Sequence, residues 1–352
     1  PEVLFDCCCG FAHRVQQRLA LSSESAVLQP CMNFVKRHFF QWAASLFSCC
    51  LWTSIAVGQP TPTVQTWPQA ATGRIERMAN FPSKHVDARN IDIWLPDNFD
   101  SLKSAGQHFN VIYMHDGQML FDARTTWNKQ AWNVDQSLTK LMKSGLISPT
   151  MVVGIWNNGQ FRHSEYFPQK FLPLMPQGPR DEQIAQRLQG QAQSDAYLRF
   201  LVEELKPTID ENYPTSKNTR HNVLMGASMG GLISIYALSE YPWVFGAAAG
   251  LSTHWMGTYA PNDHIPKAAA AYLRERLPPS GLHKIYQDHG TLELDAHYGP
   301  YQKLVDQIMR DKGYVEVGPQ ANYMTRVFEG KGHNERAWAE RLEAPILFLL
   351  GR

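Results

Sequence analysis

Short apolar runs alternate with longer amphipathic stretches along most of the chain after residue 85. By length and by their content of β-branched and aromatic residues, seven of these runs predict strands, at residues 86–95, 110–114, 151–156, 222–225, 245–250, 284–287 and 325–328. Most are continuously apolar, which is typical of strands buried on both faces. The pattern predicts an α/β fold with a mostly parallel central sheet and helices on both faces.

Three helices stand out between these strands. Apolar residues recur at helical spacing over residues 194–209, where Pro207 is expected to kink or end the helix. A second helix should follow Gly230 and stop before Pro242, and a last helix should cover residues 335–342.

Residues 157–193 fit neither pattern, because they are rich in proline, glutamine and aromatic side chains. A segment of this length inside a folded domain is often a lid or the wall of a binding site. A surface insertion without consequence is the alternative.

Residues 32–58 have the organisation of a secretory signal peptide. The basic pair Lys36 and Arg37 precedes an apolar run over residues 39–57, and the small residues at 56–58 fit a cleavage site. We therefore expect a secreted or periplasmic protein. The alternatives are an uncleaved membrane anchor, given the length of the apolar run, and a lipoprotein modified at Cys49.

The remaining boundaries follow from this prediction. Residues 1–31, which begin at Pro1, are expected to be translated sequence upstream of the true start. Residues 59–75 begin with a Pro-, Thr- and Gln-rich stretch and are predicted to form an exposed linker, and residues 76–352 are predicted to form the folded domain.

Composition and charge exclude several classes of function. The chain is 44% hydrophobic and has 33 basic against 32 acidic residues without a basic run, so nucleic acid and anionic membrane surfaces are not expected as partners. All six cysteines precede residue 51, which excludes disulfides and thiolate zinc sites from the rest of the chain. The oligomeric state is left open.

The most specific motif lies where a predicted strand meets a predicted helix. Residues 226–230 read Gly-Ala-Ser-Met-Gly, the Gly-x-Ser-x-Gly nucleophile elbow in the strand, turn and helix context that it requires. Small residues are needed on both sides of a serine on so strained a turn. Ser228 is therefore the predicted nucleophile.

A serine hydroxyl needs a base to take its proton and an acid to orient that base. His333 is the predicted base, because it follows a late strand in a glycine-containing loop. The acid should come from the loop after the preceding strand, where Asp288, Glu293 and Asp295 are all candidates. The residue pattern does not separate these three carboxylates.

Backbone N–H groups that stabilise the oxyanion should complete the site. One donor is predicted at Met229, directly after the nucleophile, and the other at Gly117 or Gln118, in the loop after the first central strand. A tight turn at residues 115–117 that only holds this loop is compatible with the same sequence.

Together these residues resemble the putative-esterase branch of the α/β-hydrolases. That branch includes feruloyl and acetylxylan esterases, S-formylglutathione hydrolases, mycolyltransferases and enterobactin-type siderophore esterases. The similar segments are residues 114–118, 225–231, 290–293 and 328–333, and the resemblance extends roughly from residue 90 to 350. It implies an α/β-hydrolase fold. The family's acid follows a Gly-Thr pair, which favours Glu293.

The resemblance also suggests one substrate contact. Residues 251–255 are similar to the family's segment beyond the elbow, where aromatic residues often line the pocket, so Trp255 is predicted to contact substrate. The cysteine found beside the active-site loops of some S-formylglutathione hydrolases has no counterpart here.

The resulting hypothesis is a secreted serine carboxylesterase that acts through Ser228, His333 and Glu293 with no cofactor or metal. Its expected substrate is a small ester or an acylated polysaccharide carrying acyl or feruloyl groups. A siderophore trilactone esterase and an acyltransferase with the same catalytic residues are the alternatives. A non-catalytic binding protein is disfavoured, because it would be expected to have lost one of these residues.

Overall fold

Eight strands form one sheet in the computed structural model, which describes residues 67–352. In chain order they are β1 (Arg74–Phe81), β2 (Arg89–Leu95), β3 (Asn110–His115), β4 (Thr150–Ile155), β5 (Asn222–Ala227), β6 (Ala247–Leu251), β7 (Lys284–Gly290) and β8 (Tyr323–Phe328). The predicted signal peptide, the segment before it and residues 59–66 lie outside the described residues.

The order of strands across the sheet is β1-β2-β4-β3-β5-β6-β7-β8. The β2 strand pairs antiparallel with both β1 and β4, and every other pairing in the sheet is parallel. Parallel neighbours bring their carboxyl ends to one edge of the sheet, where loops of α/β folds form ligand sites. The predicted α/β-hydrolase fold, with its mostly parallel sheet, is confirmed.

Eleven α-helices occur in the described part of the chain. They are α1 (Phe99–Ser104), α2 (Val134–Lys143), α3 (Arg162–Tyr166), α4 (Gln177–Glu182), α5 (Ser194–Arg199), α6 (Lys206–Asn212), α7 (Met229–Glu240), α8 (His264–Arg276), α9 (Gly299–Asp311), α10 (Glu335–Arg341) and α11 (Glu343–Leu350). None of the helices within residues 67–352 is long and apolar enough to cross a membrane.

Two apolar layers lie on opposite faces of the sheet. Alternate residues of β3 point to opposite sides, so Val111 and Tyr113 join the layer under α5 to α9, while Ile112 and Met114 join the layer under α2, α10 and α11. All four side chains are almost completely buried. Helices on both faces explain why the central strands are continuously apolar.

The helix predicted over residues 194–209 continues through Pro207. A π-helical segment, Phe200–Leu205, joins α5 to α6, and Pro207 lies at the start of α6. A proline lacks the N–H of a regular helix, and a wider turn directly before it accommodates this. The expectation of an early end at Pro207 is therefore wrong.

The folded region begins before residue 76. The N–H groups of Ala71 and Thr72 both donate to the Asp135 carboxylate, at 2.7 and 3.0 Å, and β1 starts at Arg74. The indole of Trp94 donates to the Thr72 carbonyl at 2.7 Å. The predicted linker therefore ends earlier than residue 75, because its last residues are hydrogen-bonded to the domain.

Candidate active site

Ser228 lies on a strained turn between β5 and α7. Its backbone has φ 56° and ψ −122°, a conformation that residues other than glycine rarely adopt. Its backbone N–H donates to the Leu251 carbonyl at 2.9 Å. The crossing of the two elements is so close that a Cβ on Gly226 would lie 2.6 Å from the Gly230 carbonyl carbon. The sequence therefore presents a half-exposed serine hydroxyl at the edge of the sheet.

His333 and Asp295 form a hydrogen-bonded pair at the carboxyl ends of the neighbouring strands. The imidazole Nδ1 lies 2.6 Å from Asp295 Oδ1; the His333 side chain is 14% exposed and that of Asp295 is buried. Asn334 caps α10 by accepting from the Ala337 N–H at 3.0 Å, which fixes the backbone next to His333. The carboxylate is placed to hold the ring in one orientation.

The structure places Asp295, and not Glu293, on the imidazole. Glu293 is exposed and has φ 56°, and its carboxylate accepts from the backbone N–H of His333 at 2.7 Å. The positive φ starts a 3₁₀ turn, Glu293–His297, which carries Asp295 back under the ring. Glu293 as the orienting acid is therefore a wrong prediction, and its carboxylate holds the loop instead.

Asp288, the third candidate acid, lies inside β7 and has different partners. Its side chain accepts from the Tyr286 hydroxyl at 2.9 Å, the Ser252 N–H at 3.1 Å and Arg341 Nη2 at 3.0 Å. Burial raises the pKa of Asp288 in spite of the opposing effect of Arg341. His333 is not among these partners, and Asp288 lies in the layer beneath the pair.

Asp295 is held by a second layer of donors. Its Oδ2 accepts from the Ser252 hydroxyl and from the Gly290 N–H, both at 2.6 Å. Burial alone would raise the pKa of Asp295, but the hydrogen bonds from His333, Ser252 and Gly290 bring the pKa below its usual value. The carboxylate therefore stays ionised at neutral pH.

Ser252 connects this carboxylate to α10. Its hydroxyl oxygen accepts from Trp338 Nε1 at 2.9 Å and from Arg341 Nη2 at 2.8 Å. The Arg341 guanidinium, which is buried, lies 3.9 Å from Asp295 Oδ2. Sequence analysis assigned no role to these three residues: Ser252 lies in the family-like segment 251–255, but only Trp255 was singled out there, and Trp338 and Arg341 belong to no motif.

The predicted oxyanion loop lies against the elbow. A Cβ on Gly117 would be 2.5 Å from the Gly154 carbonyl carbon, so only glycine fits there. The loop also approaches the elbow closely, because a Cβ on Gly230 would be 3.3 Å from Asp116 Oδ2. Met229 is the first residue of α7. The structure thus brings the two predicted donor segments together. The Gln118 side chain is engaged elsewhere, since its Oε1 accepts from the Asn157 N–H at 3.2 Å.

Residues 157–193 form a wall tied to this loop. Arg162 donates twice to the Asp116 carboxylate, at 2.7 Å each, and Asn157 Nδ2 donates to it at 2.7 Å. Burial would raise the pKa of Asp116, but Arg162 lowers it below its usual value. Apolar side chains such as Phe167 and Phe171 anchor the segment in the core. Of the two interpretations of this insertion, the structure favours the wall.

A buried tyrosine and histidine lie beside Ser228. The backbone N–H of His254 donates to the Ser228 carbonyl at 3.2 Å, and the imidazole Nδ1 of His254 lies 2.6 Å from the Tyr298 hydroxyl. The Tyr298 phenol interacts with the Ser228 side chain, and its ring packs edge-on against His333 at 5.7 Å. Burial, with a smaller effect from His333, lowers the pKa of His254 to about 3, so this imidazole is neutral.

Trp255 does not line the site. Its side chain is 2% exposed, belongs to the core and donates through Nε1 to Gln287 Oε1 at 3.0 Å. The predicted substrate contact is therefore wrong, because the indole packs in the core; the next aromatic residue along the chain, Tyr259, is the exposed one. Tyr259 is 61% exposed.

His115 and Asp116 are adjacent in the oxyanion loop, and each side chain is bound to another side chain of the protein. His115 Nδ1 lies 2.8 Å from the Tyr197 hydroxyl, and burial lowers the pKa of His115 to about 4. Within residues 67–352, no group of three or more His, Cys, Asp or Glu side chains is arranged to hold a metal ion.

Comparisons with known proteins agree with this architecture. The model of the family described as "Putative esterase" matches residues 85–349. The chain is 26% identical over 235 residues to the uncharacterized protein YbbA of Bacillus subtilis (strain 168), which corresponds to 65% of this chain and 80% of that protein.

Two solved structures share the fold. The enterobactin esterase FES from Shigella flexneri, crystallised in the presence of enterobactin, is 17% identical with a TM-score of 0.58, over 80% of this chain and 60% of that chain. A ferulic acid esterase is 18% identical with a TM-score of 0.56, over 79% of this chain and 98% of that chain. This chain therefore spans about 60% of the enterobactin esterase's length and nearly all of the ferulic acid esterase's.

Proposed function

This chain belongs to the "Putative esterase" family and is a carboxylic ester hydrolase, and we propose that it acts through Ser228, His333 and Asp295. The Ser228 hydroxyl attacks the ester carbonyl carbon while His333 Nε2 takes the hydroxyl proton, and Asp295 stabilises the imidazolium that forms. The tetrahedral intermediate collapses as His333 gives that proton to the leaving alcohol. Water, deprotonated by the same imidazole, then releases the acid from Ser228.

The observation that carries this proposal is the 2.6 Å pair of His333 and Asp295 beside a serine at φ 56°. The Met229 N–H, with Gly117 or Gln118 as second donor, is the proposed stabiliser of the oxyanion. Each such donor typically contributes a factor of about 10² to 10³ in rate. The chemistry needs no cofactor.

The test compares two serines of one segment. Ser228→Ala should abolish hydrolysis of p-nitrophenyl acetate, whereas Ser239→Ala, at the far end of α7, should retain it. Ser239 is a suitable control because its hydroxyl donates only to the Ile235 carbonyl, within the helix. Thermal unfolding of both variants shows whether they are folded. Turnover retained by folded Ser228→Ala would refute the proposed nucleophile.

For the substrate, we propose an acyl or feruloyl ester on a polysaccharide. Trp127 supports this class: it is 83% exposed, in a segment fixed to the start of α10 by Asn128 Nδ2 donating to Glu335 at 2.7 Å. Glu335 lies two residues after His333, and an exposed indole close to the site offers a flat face on which a sugar ring can stack.

The control for Trp127 is Trp243, which is 69% exposed just beyond the other end of α7. Trp127→Ala should lower kcat/KM on acetylated xylan and leave p-nitrophenyl acetate unaffected, and Trp243→Ala should change neither. Equal effects of the two variants on the polymer would remove the support for a polysaccharide.

A siderophore trilactone is the second candidate, and the cationic Arg187 on the wall favours it, since it suits an electron-rich aromatic acyl group. Including a catecholate trilactone in the panel separates it from the polysaccharide. Product analysis with a competing alcohol tests acyl transfer, because a transferase would accumulate the new ester.

We further propose that the enzyme is secreted, or exported to the periplasm, after cleavage behind residue 58. The basic pair and apolar run within residues 32–58 support this. N-terminal sequencing of the protein isolated from an expressing culture tests it. A mature protein beginning near residue 59 is expected, and one that retains residues 32–58 would indicate a membrane anchor.

A further inference from the structure

We propose that Arg187, Tyr259 and His163 form a recognition site for a carboxylate carried by the ester substrate. The inference rests on the proposed function and specifies the substrate class of that site. No motif marks these residues in the sequence, and the hydrolytic mechanism does not use them.

Arg187 carries a charge without a carboxylate partner. Within residues 67–352, no carboxylate oxygen lies within 4 Å of its guanidinium, whereas the other arginines of the insertion, Arg162 and Arg180, pair with Asp116 and Asp181. Arg187 is therefore the cation of this wall that is available to a ligand.

The guanidinium is held by an aromatic ring. Its central carbon lies 5.3 Å from the centre of the Tyr259 ring, within the range of a cation–π contact. The backbone next to it is fixed as well, since the Ser164 hydroxyl donates to the Leu188 carbonyl at 2.6 Å and both residues are buried. A cation restricted in this way loses less side-chain entropy when it binds an anion.

Tyr259 connects Arg187 to the nucleophile. The centre of its ring lies 6.3 Å from that of His254 and 6.5 Å from that of His163, and the backbone N–H of His254 donates to the Ser228 carbonyl. His163 is close enough to Arg187 and Arg162 for both to disfavour its charged form. Tyr259 thus contacts both the residue bonded to the Ser228 backbone and the Arg187 guanidinium, and an ester bound at Ser228 would extend toward this cation.

The carboxylate and the imidazole beside this site leave the charge of Arg187 uncompensated at neutral pH. Asp116, whose charge acts on His163, is paired with Arg162. Burial lowers the pKa of His163 to about 4, so this imidazole is neutral and offers a hydrogen bond without a charge. The site therefore combines one cation, one phenol and one neutral imidazole, which suits a monoanion.

The experiment uses matched pairs of esters that differ by one charge. For an anion on the acyl side, the pair is p-nitrophenyl hydrogen glutarate and its methyl ester; for an anion on the alcohol side, it is 4-acetoxybenzoate and its methyl ester. The ratio of kcat/KM for the anionic ester to that for the neutral ester is measured at pH 7.5 in the wild type. It is then measured in Arg187→Gln, Arg187→Lys and the control Arg180→Gln.

We expect the ratio to fall about tenfold or more in Arg187→Gln for at least one pair, the range for a lost charge-assisted hydrogen bond. Arg187→Lys should retain part of the preference and Arg180→Gln all of it. Adding 0.5 M NaCl should lower the ratio in the wild type but not in Arg187→Gln. The pair that responds identifies the side of the ester that carries the anion.

The same ratio in wild type and Arg187→Gln for both pairs, or an equal loss in Arg180→Gln, would overturn the inference. The neutral esters make this failure distinguishable from failure of the proposed function, because their hydrolysis requires Ser228 but not Arg187. Because Arg187 is exposed, its replacement should leave thermal unfolding unchanged.

Discussion

At the scale of single residues, Asp295 and Glu293 show how far sequence reasoning reaches. Both are carboxylates in the loop after β7, and both contact His333, but one holds the imidazole and the other holds the backbone N–H. The difference arises from the positive φ of Glu293 and the 3₁₀ turn that follows it. Ser228 and His333 could be selected from motif and order, whereas choosing the acid required the path of the turn.

The two carboxylates should therefore respond differently to the loss of charge. Asp295→Asn should lower kcat for p-nitrophenyl acetate by about 10⁴, because an amide favours the wrong tautomer of the histidine. Glu293→Gln should cost less than tenfold in kcat and about 1 kcal/mol in free energy of unfolding, since an amide oxygen can still accept from His333 N–H. Steady-state kinetics and urea unfolding measure both, and a larger kcat loss in Glu293→Gln would reverse the assignment.

At the scale of elements, the central strands were predictable because burial on both faces leaves a continuous apolar run. The edge strand β1 was not, since its residues are half-buried or exposed and include Arg74, Glu76 and Arg77. The last helix, α11, was also missed, because its apolar residues occupy all sides and show no helical period. An element that forms only because the tertiary structure buries it shows little helical or strand pattern in its own sequence.

The α10 helix is predicted to be stabilised through a buried ion pair. Arg341 lies 3.0 Å from Asp288 in β7, and both side chains are almost completely buried. Arg341→Gln should lower the free energy of unfolding by about 3–5 kcal/mol, because it leaves a buried carboxylate without its cation. Asp288→Asn in the same chain should restore part of this loss.

A double-mutant cycle in urea unfolding measures the coupling between Arg341 and Asp288. Losses that simply add would show that the two residues act independently. The Arg341 contact with Ser252 predicts a further loss of kcat in Arg341→Gln, through a less firmly held Asp295. That loss should remain in the double variant.

At the scale of the whole molecule, the fold could be predicted from the alternation of strands and helices, but the walls of the site could not. The insertion at residues 157–193 was recognised as unusual by composition. Its contact with the oxyanion loop, through Arg162 and Asp116, joins residues 46 positions apart, and no local pattern encodes such a pair. In our proposal, substrate selection therefore depends on the part of the chain for which sequence reasoning was weakest.

Buried histidines around the site should make the stability of the whole domain depend on pH. Burial lowers the pKa of His115 and of His163 to about 4 and that of His254 to about 3, from an ordinary value of 6.5. Between these values the unfolded chain binds protons that the folded chain does not, so the free energy of unfolding should fall as the pH falls from 6.5 toward 4. Each fully buried histidine contributes on the order of 3 kcal/mol to this change.

His115 allows this dependence to be measured for one group, because its imidazole is buried and takes no part in the proposed hydrolysis. His115→Asn should reduce the slope of unfolding free energy against pH by about 1.4 kcal/mol per pH unit between pH 4.5 and 6, since one fewer proton is taken up on unfolding. Urea unfolding across this range gives the slope, with the exposed His108→Asn as the control. An unchanged slope in His115→Asn would mean that its imidazole is already protonated in the folded protein, and that buried neutral histidines do not set the acid limit of the fold.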